Sequence, residues 1–137
     1  MNMRVNQLKQ FAFGDSAEMA DALLALVLGG TKTATSVALA EYESEGAPLP
    51  QPGQRSIVLD GKGRPACIIE TTNVCCKRFD SVDAAFAREE GEGDLSLSHW
   101  REEHALYFRR NGGFSPDMML VCEKFRLVER LDGVARP

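Results

Sequence analysis

The side chains best suited to chemistry sit in one short run, Gly30-Thr31-Lys32-Thr33-Ala34-Thr35-Ser36, and in one acid far downstream, Glu70. Lys32 follows directly on a helix end, where the backbone dipole is negative and favours the charged ammonium. A charged lysine suits binding an anion or polarising a carbonyl. It acts as a base only if burial lowers its pKa. The Thr35 hydroxyl is a poor nucleophile until a neighbour takes its proton. Its alternative role is to cap a helix. Glu70 stands in an otherwise apolar strand, Ala66 to Lys77, and is expected at the interior or mouth of the sheet. There it could shuttle a proton, accept a hydrogen bond from the exocyclic amine of a base, or simply fasten Lys32 in a buried salt bridge. Trp100, His104 and Tyr107 share a helical stripe, which serves either as core or as a stacking platform for bases. Asp94 and Glu123 are further cleft candidates, Asp94 alternatively as a helix cap.

The elements that position these residues follow from local pattern. Asp15, with Glu18 three places on, opens a helix as a capping-box-like pair. Met19, Leu23, Leu26 and Val27 give it one apolar face, and Gly29-Gly30 stop it. The run from Gly30 to Ser36 reads as extended chain or a tight loop. Val37 to Glu45 is expected as a short helix capped by Thr35 or Ser36. The prolines between Ala47 and Pro52 mark a loop. Arg55–Asp60 and Ala66–Lys77 are strand-like around the hairpin chemistry of Asp60-Gly61-Lys62-Gly63-Arg64-Pro65. Asp80 or Ser81 is expected to cap a short helix through Arg88. A glycine-rich acidic loop, Glu89 to Asp94, leads into a helix over Ser96–Arg110, ended by Asn111-Gly112-Gly113. Met119–Leu131 is the last long strand or a bent pair. That order implies an α+β domain with a small, largely antiparallel sheet or barrel and helices outside.

The 137 residues, 44% hydrophobic and 26% charged, fit a single globular domain. No apolar run approaches the roughly 20 residues of a membrane span, and Met1 to Gln10 lacks the apolar core of a secretory signal. The expected location is therefore the cytoplasm, with no membrane partner. Cys67, Cys75, Cys76 and Cys122 show no metal-knuckle spacing, so all four are expected as reduced, mostly buried thiols, with no metal and no cofactor. A formal net charge of −4 argues against coating nucleic acid by bulk electrostatics. It leaves room for a local basic cleft from Arg101, Arg109, Arg110, Lys124, Arg126 and Arg130.

An ordered set of segments carries a resemblance. After Phe13-Gly14-Asp15-Ser16 come the lysine motif with its threonine three places on, Glu41-Tyr42-Glu43-Ser44-Glu45-Gly46, Ile57-Val58-Leu59-Asp60-Gly61 and Ile68-Ile69-Glu70-Thr71-Thr72. Glu90-Gly91-Glu92-Gly93-Asp94, Trp100-Arg101-Glu102-Glu103-His104 and Val121-Cys122-Glu123-Lys124-Phe125 complete it. Together they resemble the ASCH domain, in the longer bacterial branch of that family, over nearly the whole chain. The resemblance implies a PUA-like, mostly antiparallel barrel with flanking helices, as one domain over 1–137. Within it, segment 1–12 is expected partly in the sheet and 132–137 is expected as a flexible tail. It implies RNA or a modified nucleoside as partner, with either amide hydrolysis of N-acylated cytidine or metal-independent RNA cleavage as possible activities. The catalytic trio it implies is Lys32, Thr35 and Glu70. The ligand-binding set is Thr33, Ser36, Tyr42, Asp94, Trp100, Arg101, His104 and Glu123. The short hydrolases carry an arginine two places after the threonine, where this chain has Val37. Monomer and homodimer are both open.

Overall fold

The structure, a computed structural model, describes residues 8–131. Five strands form one sheet in the order β1 (Lys9–Phe11), β3 (Arg55–Leu59), β4 (Pro65–Arg78), β5 (Met119–Arg130), β2 (Ala34–Ala38). Only the β1–β3 pair is parallel. The sheet curls into a PUA-like half barrel, so the α+β expectation holds with an open rather than a closed barrel. Four helices surround it: α1 (Ala17–Leu28), α2 (Leu39–Glu45), α3 (Ala84–Glu90) and α4 (Leu97–Arg110). Among the described residues no helix is long and apolar enough to cross a membrane. Residues 132–137, where a tail is expected, lie outside the described residues, as do residues 1–7 of the N-terminal segment.

Most elements fall where local signals put them, with four shifts. Ser16, not Asp15, caps α1, accepting from the Met19 N–H. Asp15 is instead held by Arg110 and Asn111 at the far end of α4. The extended run goes on through Val37 and Ala38, where a helix start is expected, because Ala34–Ala38 pairs along β5 from Lys124 to Leu120. Consequently α2 begins at Leu39 with no side-chain cap. Asp83 caps α3, since Asp80 is engaged by Arg78 and Phe79 turns into the core. The cysteines divide evenly: Cys67 and Cys122 are buried, Cys75 and Cys76 exposed, and all four are free thiols.

Two apolar clusters hold the fold. In one, Phe79, Phe86, Trp100 and Phe108 from the α3–α4 region pack with Leu120 and Cys122 of β5. In the other, Leu23, Leu24 and Val27 of α1 pack with Phe13, Val58, Ile69 and Phe125. Because β1 and β2 are the two ends of the sheet, neither is hydrogen-bonded to a strand on its outer side among the described residues. The gap between those edges is where the barrel stays open.

Candidate functional site

Lys32 is placed by the way α1 ends. The N–H groups of Thr31 and Lys32 both donate to the Leu26 carbonyl, at 3.0 and 3.1 Å, which folds the chain back on the helix. The Thr33 N–H then donates to the Glu89 carbonyl at the end of α3. This backbone-on-backbone approach requires Gly91, which has φ +75° and sits so close that a Cβ there would lie 2.5 Å from the Thr31 carbonyl oxygen. The approach brings the Lys32 ammonium to 3.1 Å from Glu90 Oε1 and 2.9 Å from Glu92 Oε2. Lys32 and Glu90 are each 1% exposed.

The Glu90 carboxylate is saturated with donors. Ser36 Oγ and Trp100 Nε1 donate to Oε2 at 2.6 and 2.9 Å. His104 Nε2 lies 3.5 Å from Oε1, an ion-pair distance. Burial opposes its charge, but Lys32 and His104 outweigh that and hold the carboxyl well below the usual range. Burial likewise opposes the Lys32 charge, and Glu90 and Glu92 reverse the balance, raising its pKa. Lys32 is therefore a locked cation, not a base. For His104, burial is again the largest influence and acts downward. Glu90, Glu92 and the Trp100 carbonyl overcome it, and the pKa rises. Both ring nitrogens face acceptors, with Nδ1 2.9 Å from the Trp100 carbonyl oxygen, as suits the imidazolium. Glu90, Glu92 and His104 bring ligand atoms within 4.8 Å of one another, a metal-like grouping. The Lys32 ammonium already lies against both carboxylates and supplies the positive charge there.

Beside this cluster, in the barrel's open seam, lies a cavity of about 520 Å³. Phe11 and Phe13 line it from the β1 side, Thr35 and Val37 from β2, Tyr42 from α2, and His104 and Tyr107 from α4. Thr35 pairs directly with Glu123 across the β2–β5 ladder, so their side chains stand side by side on one face. Glu123 lines the same cavity and accepts from Thr71 Oγ1 at 2.6 Å. Burial pushes its carboxyl pKa up, against the pull of Thr71 and Lys9. No hydrogen bond joins the Thr35 hydroxyl to another described residue.

The family model for the ASCH domain matches residues 9–129. The chain belongs to the ASCH domain family. A crystallised protein, EF3133 from Enterococcus faecalis, is 39% identical, with a TM-score of 0.86, over 95% of this chain and 80% of that one. A crystallised ASCH domain from Lactobacillus crispatus is 33% identical, with a TM-score of 0.82, over 90% of this chain and 83% of that one. An ASCH structure from Zymomonas mobilis, 12% identical with a TM-score of 0.56 over 90% of this chain and 75% of that one, shares the fold. No curated protein matches.

In this ASCH domain the expected trio does not converge. Lys32 is buried behind the cavity rather than in its lining, and its acidic partners are Glu90 and Glu92. Glu70 is held by Arg55 at 3.0 Å and Arg126 at 3.2 Å, first of all by the Arg55 hydrogen bond, which lowers its pKa. It lies outside the cavity lining. The reason is strand alternation: Cys67 and Ile69 face the α1 cluster, so Glu70 faces the other way, directly between Arg55 of β3 and Arg126 of β5. Of the other expected residues, Ser36, Tyr42, His104 and Glu123 line the cavity and Thr33, Asp94, Trp100 and Arg101 do not. Trp100 is core, stacked on His104 with ring centroids 4.2 Å apart. Asp94 accepts from the Ser96 N–H just ahead of α4. Glu90 and Glu92 are not among the expected site residues, because a Glu-Gly-Glu-Gly run reads as a solvated loop. The alternating glycines were the available signal of a close backbone approach.

Proposed function

We propose that this ASCH domain binds a nucleoside-type small molecule in the seam cavity. The observation that carries this reading is the cavity's make-up. Its volume suits a ligand of that size, within the roughly 300–1,000 Å³ of small-molecule sites. Tyr42 and Tyr107 offer rings for a planar base. The outer edges of β1 and β2, unpaired among the described residues, offer backbone donors and acceptors of the kind that read a base edge. Glu123, beside Thr35, is a carboxylate poised for an exocyclic amine. Long RNA fits less well, because the cavity is acidic and a polyanion needs a basic track.

Amide hydrolysis is the second reading, favoured by one observation: a free threonine hydroxyl next to an acid whose pKa is raised. In that case Glu123, rather than the locked Lys32, is the group able to take the Thr35 proton. Calorimetry with a panel of nucleosides, N-acylated nucleosides and short RNA, run beside detection of released acid, tests both. Binding of nucleosides but not RNA, weakened about tenfold or more by Glu123→Gln as for a lost hydrogen bond to a charged group, supports the first reading. Released acid that disappears in Thr35→Val supports the second. Binding only by RNA overturns both.

A further inference from the structure

The cavity has an unbalanced charge. Glu41, Glu45, Glu103 and Glu123 line it, and none of them has an ion-pair partner among the described residues. Of the lining cations, Arg110 is committed to Asp15 and His104 faces Glu90. That leaves Lys9. Its ammonium lies 5.8 Å from the Tyr42 ring centroid across the seam, and 5.7 Å from that of Phe11 on its own strand. Tyr42 registers the surrounding field: burial first, then Glu123, Glu41 and Glu45, push its phenol up to about 12. Tyr107 is raised too, by burial and then by Asp15 and Glu41.

We propose that the seam cavity selects a positively charged ligand group, specifically a delocalised cation such as an N-alkylated nucleobase, and that the Lys9 ammonium is its resident stand-in. The chemistry is that of a cation held between aromatic faces with carboxylates behind them. A flexible, half-committed lysine satisfies this field weakly, because its ammonium is compact and keeps its water. A planar cation covers the rings and sheds water more readily. The same field repels a phosphate, so the ligand is a nucleoside rather than a nucleotide. The inference rests on the nucleoside reading for the ligand's shape, but its charge preference stands on the cavity itself.

The test is calorimetry on the full chain at neutral pH with N1-methyladenosine, which is cationic, against adenosine and adenosine monophosphate. The methylated nucleoside is expected to bind at least about fivefold tighter than adenosine, within the usual range of cation–π gains, and the monophosphate more weakly than either. Lys9→Met keeps the stem and removes the competing charge, so it should widen the ratio of methylated over unmethylated affinity. Equal affinities for adenosine and its methylated form, or a ratio unmoved by Lys9→Met, overturn the proposal. If no nucleoside binds, the nucleoside reading falls, and benzyltrimethylammonium against benzyl alcohol decides the charge preference alone. Saturable binding of the cation only upholds it, and binding of neither overturns it.

Discussion

At the scale of single residues, Lys32 and Glu123 separate holding from selecting. Lys32 is fully buried among carboxylates, and removing its charge strands Glu90 without its main counter-ion. Lys32→Met should therefore destabilise the fold by about 3–5 kcal/mol, the usual cost of breaking a buried pair. The check is the urea midpoint, and a midpoint equal to wild type would remove the structural role. That cost is a large share of a typical domain's stability of roughly 5–15 kcal/mol. Lost activity in a Lys32 variant thus reports the fold before it reports chemistry. Glu123 behaves oppositely. Its pKa is raised from about 4.5 in the fold, so the folded state holds this proton more tightly than the unfolded chain. The stability it contributes is complete below the unfolded value and is lost as pH rises through the folded one. Glu123→Gln should accordingly be more stable than wild type at neutral pH while binding ligand less well. Thermal unfolding across pH is the measurement, and the gap between the two proteins should close as the solution is acidified.

Among the elements, the turn after α1 and the end of α3 form one device, and Gly91 is its hinge pin. With φ +75° and the Lys32 Cα 2.9 Å from where a Cβ would stand, any side chain forces the two segments apart. Gly91→Ala should cost at least about 1–3 kcal/mol, the range for strained backbone. It should also loosen the Lys32–Glu90 contact, seen as faster amide exchange at Thr33. Hydrogen exchange at Thr33 equal to wild type would contradict the coupling. These same elements show what a sequence makes legible. The end of α1 and both ends of α4 could be read because Gly29, Ser96 and Asn111 act on atoms a few residues away, while the α1 cap reads one residue early, at Asp15 instead of Ser16. That the extended run continues as strand through Val37 and Ala38 could not be read, because the partner segment, Leu120–Lys124, lies more than eighty positions downstream. The place of Glu70 depends on pairing in the same way: alternation puts it on the face opposite Ile69, where its cross-strand partners Arg55 and Arg126 hold it. Lys32 and Thr35 were found as a motif, but their acids, Glu90 and Glu123, come from contacts that only the fold brings together.

For the whole molecule, the half barrel is defined by where it stops. Among the described residues, β1 and β2 end the sheet with unpaired edges on either side of the cavity. The outward-facing amides of Lys9–Phe11 and Ala34–Ala38 should therefore exchange quickly in the free protein and become protected when ligand fills the seam. Amides in the middle of β4 and β5, bonded on both sides, should change little. Exchange mass spectrometry with and without ligand makes the comparison. Protection spread evenly over the sheet would mean that the ligand binds elsewhere.

Trp100 is the chain's one tryptophan, and its place in the buried cluster gives the protein an optical reporter. Its indole donates to Glu90 and stacks on His104 at 17°. A protonated imidazole in face contact accepts an electron from the excited indole, so emission should be dim while His104 is charged. The glow should brighten as pH rises through the histidine's elevated pKa, and His104→Gln should abolish that brightening. A fluorimeter would then read the charge state of a group at the wall of the cavity.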